Sequence, residues 1–499
     1  MRVARADFGL LLAGRALQVG CALVGMRIVT ALLGPGEIGR RELVLSVVSW
    51  FALLLISPVG NYLNRQAVEW YYEARLRESL RRFSLFLVVV ALIGIAVVVL
   101  LHLTSGIGTP IGLGWLLWLV GGSLLVGTLT TQINGILNII GFRGWYVVLA
   151  NATSWAGLGL SIGLTLWQGR TAEFWLSGVL LGQLLVLAGS IGVLRRVGRV
   201  PRGVAMRTYQ AAGFDVRSVF RFSWPLIIST GFYWAQTNGY RFVLAALADT
   251  RMIGLLTVGL TIATAPLAMF DTLFTEFYRP IFYHNIKFGS ASQKALAWNR
   301  YASAYFPAII LMGSLIACSG PYLARVLVSD AFQGVAWLAP WGALLQSTLM
   351  VYGTYVALSF ASLDTRVLIR PNILGAAVAL ILTAMLARRQ PLDGTAIALT
   401  LGMGVTMVGT ALRLGREFPH KLPWRRLGLA VLLGLPLVLV LWGLRGVRSE
   451  PTQIQSALVL AGSGGYVLLA QLLLAREWLF GEGRDEDDTA ATASAEGVS

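Results

Sequence analysis

The sequence predicts an all-α polytopic membrane protein of about 14 transmembrane helices. Three observations point there. Of its 499 residues 56% are hydrophobic and only 13% charged, against about 25% charged in soluble domains, so the chain cannot cover a water-facing surface. Apolar stretches of about 20 residues, the length that crosses ~30 Å of hydrocarbon, recur along it between short charged or Gly/Pro-rich breaks. Basic residues gather in every second break, which is the positive-inside pattern. Membrane-spanning strands would instead alternate in segments of ~10 residues, and the chain has no such segments.

The spans fall at 8–33, 42–64, 83–103, 113–140, 145–167, 172–194, 219–248, 252–278, 301–319, 334–360, 367–387, 394–412, 427–444 and 454–475. The first is too long for the ~7–15-residue core of a signal peptide and ends in no small-residue cleavage site, so it reads as a retained helix. With the N-terminus in the cytoplasm, the inner breaks hold about three basic residues for each outer one, and a missed span would have scrambled that bias downstream. Both termini are therefore expected in the cytoplasm. The formal charge of +17 follows from this topology and gives no reason to expect a nucleic-acid partner. Cys21 and Cys318 lie in apolar stretches as small core residues. His102, His284 and His420 have no ligand spacing, and no metal or other cofactor is expected. After Phe480 an acidic tail without apolar pattern is expected to be disordered.

An internal repeat organises the spans. Arg27 precedes Arg65 by 38 residues, and Arg241 precedes Arg279 by the same 38. Ile38-Gly39 and Ile253-Gly254 mark the intervening turn in each copy. Six spans separate the copies, so both run the same way through the membrane, and a pseudo-twofold along the membrane normal would relate them. The expected divisions are an N-terminal lobe over 1–194, a basic cytoplasmic linker over 195–218, a C-terminal lobe over 219–415, a terminal helix pair over 424–476 and the tail over 480–499. Pro58 and Pro266 interrupt spans 2 and 8 and permit bending.

Ionisable groups within spans are costly, about 2.5–3.5 kcal/mol at the bilayer centre on insertion scales, and face a bundle interior or a wet cavity. They collect on four spans. Span 7 carries Tyr233, Gln236, Thr237, Asn238, Tyr240 and Arg241; span 8 carries Asp271, Thr275, Glu276 and Arg279; span 2 carries Ser57, Asn61, Arg65 and Glu69; span 1 carries Arg15, Gln18, Arg27 and Thr30. Arg65–Glu69 and Glu276–Arg279 are spaced for ion pairs within one helix, and snorkelling would also satisfy these two arginines. Arg27 and Arg241 have no acid within a turn on their own helices, so an anionic ligand or a cavity is expected beside them. Guanidinium stays charged when buried and forks onto phosphate. Small-residue spacings at Gly159–Gly163 and Gly178–Gly182 predict close helix contacts.

Arg27, Leu33, Gly34, Pro35, Glu37 and Gly39 together resemble the "R…LGP-E-G" run that ends the first helix of polysaccharide (O-antigen type) flippases, within the multidrug/oligosaccharidyl-lipid/polysaccharide exporter superfamily. Two six-helix lobes plus an extra hairpin match that family's layout. The resemblance implies a non-enzymatic translocase of an undecaprenyl-pyrophosphate-linked oligosaccharide in the bacterial cytoplasmic membrane. It implies an arginine cluster for the pyrophosphate, carried over to Arg27, Arg65 and Arg279. Adding Arg241, Asn61, Tyr233, Gln236 and Thr237 completes the expected substrate-binding set. Asp271 and Glu276 are the candidates for coupling to an H+ or Na+ gradient, and a polysaccharide polymerase is the expected protein partner. A drug/cation antiporter of the same superfamily is the first rival and would favour acidic cavity residues. A membrane glycosyltransferase or polymerase is the second and would need a larger outer loop than the one near 320–333.

Overall fold

The computed structural model describes residues 5–104, 111–197, 216–286, 291–362, 365–418, 421–447 and 451–496. Every regular element among them is helical. In order these are α1 (Arg5–Leu32), α2 (Pro35–Phe51), α3 (Ser57–Tyr72), α4 (Leu76–Thr104), α5 (Leu113–Gly122), α6 (Thr128–Ile139), α7 (Arg143–Gln168), α8 (Ala172–Val197) and α9 (Val216–Trp234). They continue with α10 (Tyr240–Leu247), α11 (Thr250–Ile286), α12 (Ala291–Cys318), α13 (Gly320–Leu327), α14 (Ala339–Ser362), α15 (Ile369–Leu386), α16 (Pro391–Glu417), α17 (Trp424–Val447) and α18 (Gln453–Glu496). Most of the expected linker lies outside the described residues. The helical backbone of α18 runs on to Glu496 through the tail expected to be disordered, a stretch rich in the helix formers Ala and Glu.

Among the described residues thirteen helices are long and apolar enough to cross a membrane. The fourteenth expected span, 219–248, is the helical rod Val216–Leu247; Gln236, Thr237, Asn238 and Arg241 make it too polar to join them. The chain is thus a multi-pass membrane protein. Its exposure pattern agrees, because Trp442 (69%), Leu439 (68%) and Leu458 (67%) project outward, where only a lipid solvent makes large apolar side chains stable.

Three rods carry a short π segment: Ala52–Ile56 joins α2 to α3, Ser123–Gly127 joins α5 to α6, and Ala235–Gly239 joins α9 to α10. Pro58 explains the first. It lacks the N–H that Leu54 would accept from, and its ring crowds that carbonyl. A wider turn relieves both.

The helices form two compact units, Met1–Thr257 with Asn372–Ala398, and Val258–Pro371 with Leu399–Ser499. In the first, Phe51, Leu63, Trp70, Phe83, Leu87 and Leu124 centre a continuous apolar core. There α8 meets α7 backbone to backbone: a Cβ on Gly178 would fall 2.3 Å from Ser161 Cα, and one on Gly182 would fall 2.5 Å from Gly157 Cα. The close contact expected at Gly159 and Gly163 is corrected to Gly157 and Ser161, since both former positions face open space. In the second unit α17 and α18 pack their apolar faces on α12 around Leu311, Leu437, Leu441 and Val467. The region expected as an outer loop near 320–333 is α13 followed by a 3-10 turn, Asp330–Leu338, with Arg325 Nη1 3.1 Å from Asp330 Oδ1.

Candidate functional site

The polar groups of the α9–α10 rod are directed at α2. Glu42, Ser46 and Ser49 recur at i, i+4 and i+7, so they form one stripe along α2. Arg241 Nη2 lies 2.9 Å from Glu42 Oε2. Its Nη1 donates to Ser46 Oγ at 2.9 Å and to Asn238 Oδ1 at 3.0 Å. Its Nε donates to the Tyr240 hydroxyl at 3.3 Å. The other Glu42 oxygen accepts from Arg41 Nη1 at 2.9 Å. Lower on the same stripe Trp234 Nε1 donates to Ser49 Oγ at 2.9 Å and to the Ser46 carbonyl at 3.1 Å. The Arg241 and Glu42 side chains are 14% and 9% exposed. Two charges withdrawn this far from water persist only as a hydrogen-bonded pair.

This corrects the expectation that Arg241 waits beside a cavity for an anionic ligand. Its charge is met by Glu42, on a helix nearly 200 residues earlier in the chain, beyond the reach of spacing along one helix. The expected neighbours of Arg241 serve the same arrangement. Thr237 Oγ1 donates to the Tyr233 carbonyl at 2.9 Å and accepts from Asn238 Nδ2 at 3.0 Å, which fixes the amide that Arg241 donates to. Gln236 is buried and Tyr233 half-buried on the rod.

At the same end α2 crosses the start of α11. A Cβ on Gly39 would sit 1.9 Å from the Thr250 carbonyl oxygen, and one on Gly254 would sit 1.8 Å from the Pro35 carbonyl oxygen. Each glycine thus meets the carbonyl four residues before the other. Reciprocal contact of this kind is what a twofold relation produces. Ile38 and Ile253 beside them are fully buried. The remaining motif residues act here too: Pro35 opens α2, and Glu37 bonds Arg40 at 2.7 Å while accepting from the Ala172 amide that starts α8.

The other expected residues are less concentrated. Arg27 is half-buried on α1, and Asn61 is exposed on α3. The side chains of Arg65 and Arg279 lie outside the described residues. On α11 the Asp271 carboxylate accepts a short hydrogen bond from the Tyr305 hydroxyl of α12, and Glu276 is exposed. Phe274 stacks on Tyr278 (4.3 Å) and on Tyr305 (4.4 Å), so an aromatic column lies beside Asp271. Sequence reasoning missed Glu42, Ser46, Ser49 and Trp234. The stripe on α2 was the available signal, since an acid and two serines at helical spacing inside an apolar span require partners on another helix.

No family model matches the chain, and no curated protein matches it. Solved structures do. The chain is similar to the lipid II flippase MurJ in an inward closed conformation, with a TM-score of 0.62, 13% identity, and coverage of 95% of this chain and 100% of that one. It is also similar to a mutant of the Vibrio cholerae MATE transporter VcmN (TM-score 0.54, 12% identity, 83% of this chain and 96% of that one). A third match is an outward-facing multidrug resistance MATE family transporter of the MOP superfamily (TM-score 0.50, 13% identity, 81% and 93%). At these identities the likeness establishes the fold.

Proposed function

We propose that the chain is a flippase that moves an undecaprenyl-pyrophosphate-linked oligosaccharide across the bacterial cytoplasmic membrane. The observation that carries the mechanism is the reciprocal glycine crossing reinforced by the Arg241–Glu42 clasp. Two copies of a repeat, related by a twofold and fastened at one end by a few polar contacts, are the parts that alternating access requires. The arginine bias assigns that end to the outside, so the clasp closes the outer side while the cytosolic side admits substrate. Opening then separates Arg241 from Glu42 and exposes both to water, where each is well solvated.

The substrate class follows from the sequence resemblance and from the likeness to a lipid II flippase. Arg27 is the leading group for the pyrophosphate, because it is the arginine of the motif that carries the resemblance and lies half-buried within the first membrane helix. Arg65, Arg279 and Asn61 complete the proposed path. With both termini cytoplasmic, a polysaccharide polymerase would receive the product on the outer face. The test is flipping of a fluorescent undecaprenyl-pyrophosphate oligosaccharide in proteoliposomes. Arg27→Ala should slow it at least tenfold and Arg27→Lys less, as expected for a charge that also forks onto phosphate. Flipping at the unaltered rate in Arg27→Ala would remove Arg27 from the path.

The MATE likeness and one residue favour a second reading, a cation-coupled drug antiporter. Asp271, held by Tyr305 within a membrane helix, has the chemistry of a proton carrier. Transport of a cationic dye down an imposed pH gradient, abolished in Asp271→Asn while glycolipid flipping is absent, would select it.

A further inference from the structure

A cavity of about 230 Å³ opens in the second unit between α11, α12 and the terminal pair α17 and α18. Its walls are mainly apolar, with Phe274, Pro307 and Leu472 among them. Its polar lining is Tyr278, Ser303, Arg426 and Gln471. Arg426 Nη1 donates to Ser303 Oγ at 3.2 Å, a neutral hydroxyl that leaves the charge uncompensated. Gln471 Nε2 is buried without a hydrogen-bond partner. A buried orphan donor beside an arginine, inside a membrane helix, calls for an acceptor that the described residues do not supply. The mouth lies on the lipid face, where Leu468 and Leu472 are 62% and 63% exposed.

Depth identifies the acceptor. Arg426 is the third residue of α17, and Gln471 lies near the end of the apolar part of α18. By the arginine bias both stand at the cytosolic boundary, where lipid headgroups meet acyl chains. We propose that this cavity holds one anionic glycerophospholipid of the inner leaflet. A phosphodiester oxygen accepts from the Arg426 guanidinium and from the Gln471 amide, and an acyl chain runs out past Leu468 and Leu472. The cavity is smaller than the about 300–1,000 Å³ of a drug-sized pocket. That is room for a phosphate and its glycerol, and too little for a glycan. The lipid wedges the terminal pair against α11 and α12, and its presence is independent of what the chain transports.

The test is native mass spectrometry of the full chain released from micelles, titrated separately with dioleoyl-phosphatidylglycerol and dioleoyl-phosphatidylcholine. One phosphatidylglycerol should be retained, with phosphatidylcholine held at least tenfold more weakly. Arg426→Gln and Gln471→Leu should each weaken phosphatidylglycerol binding about tenfold, the weight of a hydrogen bond to a charged group. Arg426→Lys should weaken it less, and Arg425→Gln, at an exposed neighbour, should leave it unchanged. Thermal midpoints establish that each variant is folded, and Gln471→Leu, near in volume, serves if Arg426→Gln is not. Equal binding of the two lipids, or unaltered binding in both variants, overturns the proposal. So does undecaprenyl phosphate displacing phosphatidylglycerol at equal concentration, which would make the site part of the substrate path.

Discussion

At the residue scale the Arg241–Glu42 pair is the most exacting feature of the described structure. Every hydrogen-bonding group around it is committed: Ser46 and Asn238 to Nη1, Tyr240 to Nε, Arg41 to the second carboxylate oxygen. Removing one partner of a buried pair leaves a charge with nothing to meet it, at a cost of about 3–5 kcal/mol, whereas removing both costs much less. Glu42→Gln should therefore lower the thermal midpoint sharply, Arg241→Gln likewise, and the double variant Glu42→Gln/Arg241→Gln should recover part of the loss. A double-mutant cycle on unfolding in detergent reads the coupling. Additive losses would show that the two side chains do not depend on each other. The sequence disclosed half of this pair. Arg241 stood out as a charge inside an apolar stretch, but its partner lies on another helix, and periodicity within one helix carries no record of contacts across helices.

At the element scale the crossing of α2 and α11 depends on two missing side chains. A methyl group at Gly39 or Gly254 would overlap a backbone carbonyl, at 1.9 and 1.8 Å, and a backbone cannot step aside as a side-chain tip can. Overpacking of this kind costs about 1–3 kcal/mol, so Gly254→Ala and Gly39→Ala should each lower the thermal midpoint or shift the chain toward its opened state. Gly135→Ala, facing open space within α6, should be neutral or stabilise by up to about 1 kcal/mol through helix propensity. Equal midpoints for the three variants would contradict the crossing. The Ile-Gly pairs were readable as markers of a repeat, but they lie inside α2 and α11 and not in the turns expected there; that the two glycines touch was not readable, because sequence carries no record of apposition between helices. The π segments were equally hidden. Pro58 announced an irregularity in span 2, but a kink and a π turn are alternative responses to the same lost hydrogen bond.

At the scale of the whole molecule, most of the architecture was readable because lipid imposes one rule on every span: about 20 apolar residues with all backbone bonds satisfied internally. The rod Val216–Leu247 shows where that rule bends, since its polar side chains are met by one another and by α2 while Ile228, Phe232 and Phe242 on the same rod stay exposed. Counting it makes the number of crossings even, and both ends of the chain then share one side. We propose that this side is the cytosol, as the arginine bias implies. Single cysteines placed in a background with Cys21→Ala and Cys318→Ala decide the matter. A membrane-impermeant maleimide added to intact cells should label Thr171→Cys, Ser329→Cys and Gln390→Cys. It should reach Ala74→Cys, Thr365→Cys and Lys421→Cys only after the membrane is broken. If Thr171→Cys and Ser329→Cys were labelled from opposite sides, the rod over 216–247 would not be a crossing. The clasp between Arg241 and Glu42 would then close no outer gate, because the helix that carries Arg241 would not pass through the membrane at all.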